Sequence, residues 1–444
     1  MSSPPEPPET PEEGPPEPPD EVYDNVIPFS RDDFEALSSD EKGWEEAVWA
    51  KLDKTKDRTG TIYPKPHSTN IMRIFTQDER WSGRLWWNEF DHRPYKDATP
   101  VTDTRETEVA FWLSEKYRMN INTKAISEVI DAVAVRDSRH PVRDYLNGLV
   151  WDGTKRAEDM LHKRFSAAPE PAPEEGEEPV ALTAAISKRW MISAVARVMV
   201  PGDKVDSALI LVGAQGTKKS SAFDALAGNC DWFNDSILPI GHKDAYQNLQ
   251  GVWIYEIAEL AGVSRRDQNV VKAFLTGRVD RFRPSYGRRQ VKQFRHCVFV
   301  GSTNQDTFLT DYTGNRRYWP VKVDGVADRD GIVKDRDQLW AEAVHLYRKG
   351  EQWWLTEAEE TALLERCRQH EHDDPWEIHI GEWLLGRGEF TIAGLLEGAL
   401  GIKDRDKQTT AAAMHAADVL QRLGYTKRRV RVPGGQTTFW NKSE

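Results

Sequence analysis

A surplus of basic charge is the first thing this chain lacks. Of 444 residues, 60 are Lys or Arg and 72 are Asp or Glu, a formal net charge of −12. That excludes a uniformly basic surface, though not a local basic patch. Cysteine is also scarce. Cys230, Cys297 and Cys367 are odd in number, widely spaced and without Cys-x-x-Cys. This excludes a disulfide framework and argues against a cysteine metal cluster, so a reducing compartment is expected. No apolar run approaches the length of a membrane span. The N-terminus is acidic and Pro-rich rather than basic then apolar, so no signal peptide and a cytoplasmic location are expected. No short internal repeat is visible.

What is present argues for folded domains: 39% hydrophobic residues and 17 tryptophans. The acidic surplus is local. Residues 1–22 hold seven acids and no Lys or Arg, and residues 166–180 hold five acids and no base. Together they equal the whole net charge. Both segments are rich in Pro and Glu, cannot build a core, and read as a disordered tail (1–22) and an acidic linker (166–181). Residues 23–165 read as a mainly helical N-terminal domain, with helices over Glu106 to Tyr117 and Thr123 to Arg136. His140-Pro-Val-Arg starts a further helix after a Pro signal. Leu182 to Val200 reads as a helix. Strands are predicted at Ser207–Val212, Val252–Ile257, Cys297–Ser302 and Tyr318–Val323. Such alternation over 182–325 predicts a three-layer α/β core. Residues 326–370 read as a helical extension and 371–444 as a small separate unit.

Gly213-Ala-Gln-Gly216-Thr217-Lys218-Lys219-Ser220-Ser221 follows the first strand and opens a helix. Triphosphate binding needs this order. Glycines let backbone N–H groups close around phosphates, Lys219 neutralises β/γ oxygens, and Ser220 can ligate Mg²⁺. The expected nucleotide is ATP. One position departs from the pattern: Lys218 stands where a second loop glycine is expected, which costs little at negative φ and about a kcal/mol or more at positive φ. An ordinary glycine turn is the bland alternative.

Val252-Trp-Ile-Tyr-Glu256-Ile-Ala-Glu259 is an apolar strand ending in acids. A carboxylate there could hold Mg²⁺ or polarise an attacking water, and Glu256 and Glu259 are the candidates. Asn304 ends another apolar strand and could orient water. Arg316 and Arg317 precede the last strand and suit a finger that stabilises transition-state charge, often on a neighbouring subunit's nucleotide. Between the acids and Asn304, residues Arg278–Arg295 hold seven bases and one acid around Tyr286-Gly287. Alternation on either side predicts a basic hairpin suited to a phosphate backbone; a solvated basic hairpin is the bland alternative.

The ordered set of phosphate loop, Glu strand, Lys272…Leu-Thr-Gly-Arg-x-Asp-Arg281, Ser-Thr-Asn304 strand and Gly-Asn-Arg316-Arg317 resembles the helicase-like domain of the virulence-associated protein E family. That family is allied to superfamily 3 and poxvirus-type helicases of phage, plasmid and integrated-element replication. The resemblance is strongest over about 205–323 and reaches back to His140-Pro-Val-Arg-Asp-Tyr-Leu146 and Arg80-Trp-Ser-Gly-Arg. It implies an AAA+-like P-loop NTPase core, with Lys219 and Ser220 on nucleotide and Mg²⁺. Glu259 best matches the catalytic acid, by its distance to Lys272, with Glu256 next. Asn304 is then the sensor and Arg316 or Arg317 the finger. Related chains often carry an N-terminal primase. Residues 23–150 are short and lack an Asp-x-Asp pair, so a separate primase acting in trans is expected.

In the C-terminal unit, Phe390 to Leu396 begins a helix, Thr410 is the expected cap of a second, and Tyr425–Val432 and Gln436–Trp440 read as a hairpin. Helices followed by a basic hairpin suggest a winged helix. Residues 401–444 carry nine bases and four acids. The combined expectation is an ATP-dependent, ring-forming (hexameric) DNA helicase or replication initiator. Lys272, Arg281, Arg288, Arg289 and Lys292 would contact single strands, and Arg428, Arg429 and Arg431 duplex. The alternative is a nucleotide-gated DNA-binding regulator with slow or no hydrolysis, which Lys218 keeps open.

Overall fold

The computed structural model describes residues 41–170, 180–258, 265–285, 289–309, 314–371, 374–404, 406–432 and 435–442. Glu259, Arg288, the 1–22 tail and most of the acidic linker lie outside them. The chain forms two compact units. One comprises residues up to Trp86 together with Pro94–Arg136, the other Trp87–Arg93 together with Asp137–Glu444. No described helix is long and apolar enough to cross a membrane.

The first unit is not simply helical. Helices Glu41–Ala50, Ser68–Gln77, Asp103–Tyr117 and Thr123–Ala134 alternate with short strands: Lys54–Lys56 pairs antiparallel with Ile62–Pro64, and Tyr95 and Lys96 pair antiparallel with Pro100 and Thr99. The ring of Trp81 lies in tilted contact with those of Phe75 (4.6 Å) and Trp112 (5.9 Å). These short strands were invisible in a helical pattern because two to four residues carry no periodicity.

The second unit begins earlier than the predicted boundary at 165. Helices Pro141–Gly148 and Met160–Phe165 pack into its core. Tyr145 donates to Asp337 at 2.7 Å, and the backbone N–H of Ala157 donates to Glu342 at 2.8 Å. The start of the expected linker is likewise built in. Ala167 bridges Val323, and Glu170 pairs with Arg366.

The parallel-sheet core follows. Helix α1 (Leu182–Met199) leads to β1 (Ala208–Val212), α2 (Lys219–Ala227), β2 (Phe233–Asn234), β3 (Ile254–Ala258), α3 (Arg265–Leu275), β4 (Val298–Thr303), β5 (Tyr318–Lys322) and α4 (Arg329–Arg348). The five strands form one parallel sheet in the order β5-β1-β4-β3-β2. All four long strands were legible as apolar runs. Every residue of β1 is buried, as expected of a parallel strand covered on both faces. Pro320 is tolerated in β5 because β5 is an edge. The other edge, β2, is only two residues long and was missed. Three buried tryptophans bind helices to sheet. Trp253 donates to Ala194 of α1, Trp340 of α4 donates to Leu226 of α2, and their rings lie 4.3 Å apart. The Trp190 ring of α1 lies 6.3 Å from that of Trp340, tilted by 44°.

The C-terminal segment has its own core of Ile380, Leu384, Leu395, Leu396, Val419, Leu420, Tyr425 and Trp440. Helices Pro375–Leu384, Ile392–Gly398 and Thr410–Arg422 precede the hairpin Tyr425–Val432/Gly435–Lys442. The cap of the third helix is Thr409, not Thr410: its hydroxyl accepts from the Ala412 N–H.

Candidate nucleotide-binding site

Ligands of parallel sheets sit at the carboxyl ends of the strands, and four polar side chains converge there. Gly213 leaves β1 and donates its N–H to Thr303 O at the end of β4. A Cβ at this glycine would lie 2.4 Å from the Val323 carbonyl oxygen, so no other residue fits without displacing β5's exit. The loop then turns into α2. The Lys219 ammonium reaches back and donates to the carbonyls of Gly213 (2.9 Å) and Ala214 (2.8 Å) and to the Thr217 hydroxyl (3.1 Å). Thr217 in turn donates to Ala214 O, bracing the loop.

Ser220 and Ser302 both donate to Glu256 Oε1, at 3.0 and 2.5 Å. Glu256 is 1% exposed, and its second oxygen has no hydrogen-bond partner among the described residues. Burial pushes its pKa up, the two hydroxyls oppose this, and Asp235 adds to the rise. Burial lowers the Lys219 pKa, against the pull of Glu256. The register explains the cluster. Val300 of β4 lies opposite Glu256, and Ser302 opposite Ala258, so Ser302 stands beside the acid strand. Ser302 was missed as a site residue. The signal was a hydroxyl ending an apolar strand, but only strand order shows that its neighbour is Glu256.

Lys218 adopts φ +57°, ψ +30°, the left-handed region, as the residue preceding α2. The departure from the glycine pattern therefore falls where it costs most, about 1–2 kcal/mol. Gly216 has φ +82° and open space around it, and Ser221 is exposed on α2. Asn304 is exposed one residue beyond β4 and makes no described contact with the Glu256 cluster.

The arginines lie elsewhere. Arg316 and Arg317 form a short 3-10 turn entering β5. They sit at the amino ends of the strands, opposite the phosphate loop. Arg316 is exposed; Arg317 folds back toward the Gly314 carbonyl.

The basic hairpin is present. Val279–Phe282 pairs antiparallel with Val291–Phe294. Its outward face carries Arg281 opposite Lys292, with Phe294 beside it 45% exposed; Arg289 is also exposed. Two nearby cations of the basic stretch, Arg295 at the hairpin's base and Lys272 on α3, are not surface groups. Arg295 is buried, donates bidentately to Asp280 at 2.8 Å and lies 4.3 Å from the Phe274 ring. Lys272 is a correction: it is buried, donates to Asn315 at 3.0 Å and lies over Tyr318, so its ammonium is committed inside. In the C-terminal hairpin Arg428, Arg429 and Arg431 are all exposed, and Arg428 pairs with Glu389.

Residues 146–373 match the virulence-associated protein E-like domain. The chain belongs to this family. The match spans the phosphate loop, the Glu256 strand, the hairpin and the Arg316 turn, and extends into the helices on either side. Similar solved structures include the apo structure of the NrS-1 C-terminal region and its A form. Each is 12% identical over 81% of this chain and 96% of that chain, with TM-scores of 0.41 and 0.40. No curated protein matches.

Proposed function

We propose that this member of the virulence-associated protein E-like family is an ATP-dependent DNA helicase or replication initiator of a phage, plasmid or integrated element. The observation that carries the reading is the convergence of Lys219, Ser220, Ser302 and Glu256 at the carboxyl ends of β1, β4 and β3. The residues suit MgATP. Gly213 has no room for a side chain, the loop lysine spans three loop oxygens, and a buried carboxylate oxygen lacks a partner among the described residues. Lys219 and the loop N–H groups would hold the phosphates, and Ser220 the metal. Mg²⁺ supplies charge neutralisation on the β- and γ-phosphates. Glu256 would orient a water, with Ser302 fixing its rotamer. Glu259 remains a second candidate acid and Asn304 a candidate sensor.

Arg316 is too far from its own phosphate loop to reach it. Five residues of β1 separate the two ends, about 16 Å of strand. A finger role therefore requires a neighbouring subunit, and a hexameric ring supplies one. The outward face of Arg281, Lys292 and Phe294 suits a single strand inside the ring. The C-terminal helices and basic hairpin suit a winged helix on duplex DNA. Priming would fall to a separate protein.

The strained Lys218 favours a second reading, a nucleotide-gated DNA-binding regulator with slow turnover. Hydrolysis measured with and without single-stranded DNA separates the two. Strong stimulation, lost in Lys219→Ala, supports the helicase. ATP binding without turnover supports the regulator.

A further inference from the structure

Two motif residues have no task in the chemistry proposed above. Lys272 opens the Lys…Leu-Thr-Gly-Arg string, and Asn315 immediately precedes Arg316. The fold brings them together. The Lys272 ammonium, in the last turn of α3, donates to Asn315 Oδ1 at 3.0 Å, and Asn315 Nδ2 donates to Glu371 Oε1 at 2.8 Å. Lys272 and Asn315 are buried, and Glu371 is half-buried. This bridge has one sense. An ammonium only donates and a carboxylate only accepts, so the amide oxygen faces Lys272 and the amide nitrogen faces Glu371. Turning the amide over would lose both bonds. The Asn315 side chain is thereby fixed one residue before Arg316, which is exposed. The neighbouring chain is held by the same two partners. Gln268 of α3 donates to the Phe308 carbonyl at 2.7 Å, and the Phe308 and Leu309 N–H groups donate to the His370 carbonyl. On the far side of the turn the Trp319 indole donates to the Arg316 carbonyl at 3.2 Å.

We propose that Lys272 and Glu371, joined through Asn315, are positioning residues for Arg316: the bridge fixes the turn from which that arginine leaves the surface. The inference rests on the reading of Arg316 as a finger for a neighbouring subunit's nucleotide, but the bridge itself lies wholly within one copy. A guanidinium stabilises transition-state charge only where its donors meet the reacting oxygens, and a misplacement of about 1 Å can cost about 10²-fold. The arginine stem is long and carries rotamer freedom, so the backbone beneath it must supply the accuracy. Apolar side chains could pack under the turn at a lower desolvation cost than an ammonium, an amide and a carboxylate. What the polar bridge adds is direction, because each of its bonds has a fixed donor and a fixed acceptor.

The test uses full-length chain with ATP and single-stranded DNA, and reads kcat beside the Kd for ATP. Arg316→Ala sets the scale, with an expected loss of about 10³-fold or more in kcat. Lys272→Met and Asn315→Leu should each lower kcat by about 10²-fold and leave the Kd for ATP unchanged. Combined with Arg316→Ala, neither should lower kcat further, because an arginine already removed cannot also be misplaced. Glu371→Leu should act in the same direction. Glu371→Gln, which keeps an accepting oxygen, should restore most of that loss. Glu371 is the half-buried end of the bridge, so this pair decides if the buried variants fail to fold. Losses that add to that of Arg316→Ala, or a weaker Kd with kcat kept, would make the bridge a support of the fold alone and overturn the inference. Full turnover in the bridge variants beside a large loss in Arg316→Ala also overturns it and leaves the finger reading standing. Full turnover in Arg316→Ala, or none in the unaltered chain, overturns the finger reading and this inference with it.

Discussion

The molecule has two basic hairpins, and they are rooted differently. The first, Val279–Phe294, is anchored by a buried ion pair. Arg295 holds Asp280 bidentately, donates to the Phe274 carbonyl and lies against Phe274 and Phe299. Asp280 belongs to the hairpin itself, whereas Phe274 and Phe299 belong to α3 and β4, the elements that follow Glu256 and carry Ser302. The second hairpin, Tyr425–Lys442, is rooted in a local core of Tyr425, Trp440 and Phe390, and its described ion pair, Arg428–Glu389, is exposed. Similar sequence signals thus give two devices. One is tied through Arg295 to the Phe274 carbonyl and the Phe274 and Phe299 rings, on the elements around the candidate nucleotide site, and the other is held by its own small domain.

The largest test of that contrast removes the nucleotide signal. Glu256→Gln should cut ATP turnover by about 10²–10⁴-fold while keeping ATP binding. Single-strand affinity should lose its dependence on hydrolysis, and duplex affinity should be unchanged. Equal effects on both substrates in steady-state and anisotropy assays would erase the distinction between the hairpins.

Next is the root itself. Arg295→Ala leaves Asp280 buried without its partner and should destabilise the fold by about 3–5 kcal/mol. Arg428→Ala breaks an exposed pair and should cost about 0–1 kcal/mol. Urea denaturation of both variants measures the difference. Comparable midpoints would mean that the first hairpin is no more firmly rooted than the second.

The outer faces come third. Arg281→Ala with Lys292→Ala should lower the log–log salt slope of single-strand binding by about 0.7 for each lost phosphate contact. Arg429→Ala with Arg431→Ala should spare that slope and weaken duplex binding. A salt titration on both substrates decides, and matching losses would refute the division of labour.

Two smaller effects concern the candidate nucleotide site. Lys218→Gly relieves a left-handed lysine and should stabilise the loop by about 1 kcal/mol, with turnover kept or raised. Burial raises the Glu256 pKa above its ordinary 4.5. Its contribution to stability is therefore full below that value and is lost as pH rises through the folded-state pKa. At pH 7 the ionised carboxylate is a cost, so Glu256→Gln should raise the Tm of the nucleotide-free protein. That gain should shrink as pH falls toward 4.5. A gain that grows on acidification would mean that the carboxylate is stabilised in its charged form.

Much of this protein was determined by the sequence itself. Continuous apolar runs place β1, β3, β4 and β5, because parallel strands covered on both faces need no polar alternation. The order Gly213, Gly216, Lys219, Ser220 places the phosphate loop, because its chemistry is local. Tertiary structure decided what local pattern cannot encode. Strand order brought Ser302 beside Glu256, forty-six residues apart in sequence. Burial turned Lys272 and Arg295 from surface cations into internal pins, because a basic residue reads the same in sequence whether its partner is water, Asn315 or Asp280. Backbone geometry put Lys218 at positive φ, and packing moved residues 137–165 into the core unit. Spacing along a chain fixes which side chains share an element. Which elements become neighbours depends on burial summed over the whole core.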